Sequence, residues 1–136
     1  MEAWRKRILR SVEEMKELGI ELERISIETL SYPLEWIEDI LKKFGFSVCL
    51  DIGHMLIYNL DIPGYLKKYL PRTSVIHLHG AENGVDHLGM DRLNGRMVGL
   101  ILSRLQSFAG ILSIEVFSFG DLKNSLEVLE QKWKKE

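Results

Sequence analysis

Four short apolar runs, "RISIETL" (24–30), "FSVCLD" (46–51), "SVIHLH" (74–79) and "GILSIEVF" (110–117), carry the same alternation up to a polar residue: Glu28, Asp51, His79 and Glu115. One position before these lie Ile27, Leu50, Leu78 and Ile114, and three positions before lie Ile25, Val48, Ile76 and Leu112. Two positions before lie Ser26, Cys49, His77 and Ser113, all small or polar. Strand side chains alternate between faces, so the eight aliphatic residues form one face and the small and polar ones the other. A doubly wound sheet, covered by helices on both sides, would be apolar on both faces. The pattern predicts helices on one face only, as in a barrel, with the polar residues at the C-terminal strand ends forming its mouth.

The intervening segments have helical periodicity. Trp4, Ile8, Leu9, Val12, Met15 and Leu18 recur at helical intervals over residues 2–18, before Gly19. Pro33 opens "PLEWIEDILKKF", which Gly45 closes; "IPGYLKKYL" reads as a short helix ending at Pro71, and "NGRMVGLILSRLQSF" and "DLKNSLEVLEQKWKK" as two more. Alternating α and β elements imply parallel strands joined by right-handed crossovers. The 136 residues, 46% hydrophobic, suit a single domain over 1–136. A closed barrel of this kind has eight strands and about 250 residues. The expected fold is therefore α/β, four βα units forming half of a (β/α)8 TIM barrel, parallel strands with helices on one face. Its open edges would be association-prone, and the missing half would come from a second copy in a homo-oligomer, from a complementary half-barrel chain or from an omitted N-terminal region. Self-association is the preferred expectation.

Lys+Arg 18 against Asp+Glu 20 gives a net charge of -2, which offers no general attraction to nucleic acid or an anionic membrane. The one cysteine, Cys49, lies in an apolar run, which suits a buried thiol in a reducing compartment and points to the cytoplasm. The first residues interleave charge with apolar positions, unlike a signal peptide, and no apolar segment approaches the roughly 20 residues of a membrane span.

The segment "HLHGAENGVDHLGMD" (77–91) holds three of the four histidines, and the fourth, His54, lies earlier in the chain in "LDIGH". A single carboxylate at a strand end is commonly a helix cap or a solvated loop residue. Four polar strand ends meeting at one mouth are a different matter: Glu28, Asp51, His79 and Glu115 form an oxygen/nitrogen set suited to a divalent metal, zinc or manganese. His77 shares their face one layer deeper, where a hydrogen-bonding, orienting role for a ligand is expected. His54, beside Gly53 in a tight turn, can reach the mouth as a further ligand or a substrate contact. Asp86 and His87 lie in the long segment 80–93, a length that favours function, and are candidate ligands of another ion. Glu82, Asn83, Asp91, Arg92 and Arg96 are either solvated or face substrate.

Taken in order, "SIET", "LDIGH", "HLHGAE", "DHLG" and "LSIEVF" resemble the xylose isomerase-like TIM-barrel superfamily, which includes endonuclease IV, sugar isomerases and epimerases. The resemblance covers nearly the whole chain and corresponds to strands five to eight of the family barrel. It implies that Glu28, Asp51, His79 and Glu115 match the shared metal ligands and that His54 matches the histidine of the aspartate-glycine-histidine motif. Asp86 and His87 resemble the aspartate-x-histidine ligands of the endonuclease branch, although here the two are adjacent. The compact "HLHG" followed by "DH" is similar to the cobamide-remodelling phosphodiesterases of the superfamily. The expected activity is thus metal-dependent cleavage of a phosphodiester, with a small-molecule or phosphodiester substrate. The alternatives are a sugar isomerase or epimerase, in which Glu28 and Glu115 are the catalytic proton-transfer pair, and a half-barrel without catalysis.

Overall fold

The computed structural model describes residues 2–133. Helix α1 (Glu2–Glu17) leads to β1 (Ser26–Glu28), α2 (Glu38–Phe44), β2 (Ser47–Asp51), α3 (Ile52–Ile57) and α4 (Ile62–Tyr69). Then come β3 (Thr73–Leu78), β4 (Gly80–Glu82), β5 (Val85–Leu88), α5 (Gly95–Leu105), β6 (Ile111–Ile114) and α6 (Phe119–Lys132). Lys134 and Lys135, included in the last expected helix, lie outside the described residues. Strands β1, β2, β3 and β6 form one parallel sheet in that order. No described helix is long and apolar enough to cross a membrane.

Local chemistry accounts for the boundaries. Gly45 ends α2 at φ 74, a conformation that carries no Cβ penalty at glycine. The side chains of Asp51, Asp61, Asn94 and Ser118 accept backbone N–H groups at the starts of α3, α4, α5 and α6. Val48, Leu50, Ile76 and Leu78, one face of the central strands, are fully buried against Leu34, Leu41, Met55, Leu66, Ile101 and Leu102. Burying apolar surface on this scale is the main driving force for the fold. The opposite face carries Glu28, Cys49, Asp51, His77 and Ser113, and at its lower end the hydroxyls of Ser26, Ser47 and Ser74 lie 2.5–2.9 Å from one another.

Two differences from the sequence reading position the site. Segment 80–93 is not an irregular loop, since β4 and β5 pair antiparallel around Asn83 (φ 53) and Gly84 (φ 79). Asn-Gly is the dipeptide that favours such a hairpin turn, because both central residues need positive φ. The strand ends also do not lie side by side. Glu28 is level with Cys49, Cys49 with Val75, and Val75 with Ile111, so Glu115 stands four residues above the level of Glu28. Asp51 is level with His77, and the register shift between Val48 and Cys49, which passes over Ser74, brings His77 rather than Ile76 to that level.

This stagger requires curvature. In a flat sheet three strand spacings and four residues of rise would separate the Cα atoms of Glu28 and Glu115 by about 19 Å, too far for two glutamate side chains to bridge. Their carboxylates nonetheless belong to a set whose ligand atoms all lie within 4.8 Å of one another. The sheet curls into a trough with its helices outside, and the polar face lines the inside.

Candidate metal centre

The eight candidate residues converge at the C-terminal end of the trough, but in a different grouping from that expected. Glu28, Asp51, His77 and Glu115 form one set, and His54, His79 and His87 a second. His77 is level with Asp51 rather than one layer deeper: its Nδ1 lies 2.8 Å from Glu115, 3.5 Å from Glu28 and 3.3 Å from Asp51, to which it hydrogen-bonds. His79 sits one step higher, with Nε2 2.9 Å from Asp51 Oδ1. The strand stagger causes this exchange, because the residue of β3 level with Asp51 is His77.

Each side chain is held by its element. Asp51 ends β2 and caps α3: its backbone N–H donates to Thr29 Oγ1 at 2.9 Å, and its Oδ1 accepts the His54 N–H at 2.7 Å. The first turn of α3 carries His54 inward, where Nδ1 is 3.4 Å from Glu28 and Nε2 is 3.6 Å from Asp86. Gly53, expected to allow a tight turn, is helical and serves a different end. A Cβ there would stand 1.9 Å from His79 Cε1, so only glycine lets this histidine pack against α3. The β4–β5 hairpin brings the His87 N–H to His79 Nδ1 at 2.9 Å, and stacks the two rings with centroids 4.4 Å apart. Asp86 touches the set from its edge, 3.0 Å from His87 Nδ1. Glu82, Asn83, Asp91, Arg92 and Arg96 belong to neither set: Arg92 pairs with Glu82 and Asp91, and Asn83 forms the turn.

Negative charge is concentrated in the first set. Three carboxylates crowd one imidazole nitrogen, which can donate only one hydrogen. Their field reaches Cys49: burial, then Glu28, Asp51 and Glu115, push its thiol up to about 12, so it stays protonated. Burial alone would push Asp51 up and His79 down. Their mutual pairing outweighs it, holding Asp51 below the usual carboxylate range and His79 above the usual histidine value. His54 Nδ1, His79 Nε2, His87 Nδ1 and Glu115 Oε2 are buried, and each faces an oppositely charged or polar atom, of Glu28, Asp51, Asp86 and His77 respectively, at 2.8–3.4 Å. Nitrogen and carboxylate oxygen gathered into two such clusters are the donor types that divalent metals take.

Thr29, which steadies Asp51, and Phe117, which stacks on His87, were not among the expected residues. Thr29 had no distinguishing sequence signal, whereas Phe117 stands two residues after Glu115. A concavity of about 790 Å³ lined by Lys67, Pro71, Arg104 and Gly110 lies at the opposite, N-terminal end of the strands, away from both sets.

Compared with protein-family models and with curated proteins, the chain matches none. Its functional reading therefore rests on the geometry of these side chains.

Proposed function

We propose that this chain is a half of a (β/α)8 barrel of the xylose isomerase-like kind, carrying a divalent-metal centre that cleaves phosphodiesters. The observation behind this reading is the pairing of two donor sets through one residue, Asp51, which has Oδ1 beside His79 and Oδ2 beside His77. Glu28, Asp51, His77 and Glu115 would hold one ion and His54, His79 and His87 another, with Asp86 at the edge. Zinc or manganese suits these oxygen and nitrogen donors. Adjacent divalent ions polarise a phosphoryl oxygen, lower the pKa of bound water and stabilise the leaving oxygen. The chain's own part is to fix the ligands. Thr29 and the α3 cap orient Asp51, the His87 N–H fixes the His79 ring, and the trough wall brings Glu28 and Glu115 together from opposite edges.

One observation favours the isomerase or epimerase as a second reading: Glu28 and Glu115 face each other across His77, the arrangement a two-carboxylate proton transfer needs. That chemistry needs only the first set. Helix α1 packs in the same outer layer as α2, with Arg5 2.6 Å from Asp39 and Trp4 against Tyr32 and Trp36.

Metal analysis of protein purified without chelator tests the proposal. Two zinc ions per chain are expected; His77→Ala should remove one, His87→Ala the other, and Asp51→Asn both. A single exchangeable manganese, insensitive to His87→Ala, would favour the isomerase. No stoichiometric metal would count against both enzymes.

A further inference from the structure

The proposed centre ends in a ring that metal binding leaves unused. His79 and His87 stack 6° from parallel, and Phe117 stacks on the remaining face of His87 at 4.5 Å and 15°. The row runs from a histidine with no exposure to a phenylalanine that is 83% exposed. Phe117 thus presents its outer face to solvent at the end of a row that is otherwise packed among the donors. The row is also held against a backbone cost, because His87 has φ 54 in a region that non-glycine residues rarely occupy. On the far flank Tyr58, 45% exposed, lies beside His54, which meets both other histidines edge-on. Donor atoms flanked by exposed aromatic rings suit a substrate with a flat apolar part next to its reacting group.

We infer that Phe117 is a specificity-determining residue: its outer face receives a flat ring of the substrate, of the heteroaromatic-base class, and holds the attached phosphoester at the donors beside His87. A fourth ring would extend an existing parallel row, which an alkyl chain or a sugar does less well. The inference rests on the hydrolase reading and names the class of substrate.

Calorimetry on the full chain purified with zinc tests it, using adenosine 5′-monophosphate and ribose 5-phosphate, which share a phosphate and differ by the base. The base should tighten binding about tenfold, a usual contribution of one base stacked on an aromatic side chain. Phe117→Leu should reduce the first ligand to the affinity of the second, without changing the second or the thermal midpoint, and Phe117→Trp should keep the difference. Equal binding of the two ligands by the wild type, or a base advantage that survives in Phe117→Leu, overturns this inference and leaves the hydrolase reading standing. Failure of both ligands to bind overturns both.

Discussion

Gly53 and His79 form a contact that neither residue's local sequence describes. The glycine follows a strand end, where a turn is the ordinary explanation, but its φ is unexceptional and the space above it is filled by an imidazole. His79 is fully buried and held by the His87 N–H, so it has nowhere to withdraw. Gly53→Ala is expected to cost about 1–3 kcal/mol by overpacking, measured by denaturant unfolding, and to abolish the zinc binding proposed for the histidine set. Glu38 illustrates a purely structural carboxylate. Hydrogen bonds from Lys42 and Lys68 bring its pKa from 4.5 to about 2. Because the folded value is the lower one, its contribution is fully present above pH 4.5 and fades as the pH falls toward 2. Glu38→Gln should therefore cost about 0.5–1 kcal/mol at neutral pH, given solvent screening. The difference from wild type should disappear in unfolding curves near pH 2.

At the scale of elements, the β4–β5 hairpin does most to assemble the histidine set. It carries Asp86 and His87 over the end of β3, and it exists because Asn83 and Gly84 accept positive φ. The Asn-Gly signal was present in the sequence, but without a long alternating flank on either side it read as part of a loop. Gly84 faces open space, so an alanine there meets no clash and carries only the conformational cost of its φ of 79. Gly84→Ala should lower stability by about 1 kcal/mol. It should weaken the zinc binding proposed at His54, His79 and His87 while sparing that proposed at Glu28, Asp51, His77 and Glu115, which metal titration can resolve. Helix α3 is the other element that the sequence concealed. It is six residues long and starts directly from Asp51, too short for a periodic apolar pattern to identify.

On the scale of the whole molecule, the trough has two open sides. Among the described residues strands β1 and β6 each have a partner on one side only, and Ile111 on β6 is 65% exposed. Unpaired strand edges invite pairing with other chains. The isolated chain is expected to associate with rising concentration in light scattering. Ile111→Lys should reduce that association without lowering the thermal midpoint, because the side chain contributes little to the core.

The α/β alternation, the aliphatic face of each strand and the identity of the polar residues at the mouth could all be read along the chain. They depend on periodicity and composition, which are local properties. The division of those polar residues into two sets could not be read in this way. Whether His77 or His79 meets the carboxylates depends on the offset between β2, β3 and β6, and whether Glu28 meets Glu115 depends on how far the sheet curls. Offset and curvature arise from pairing between segments distant in sequence, and the alternation within one strand is the same at every even offset. The sequence therefore determined which residues face inward, and the tertiary structure decided which of them meet.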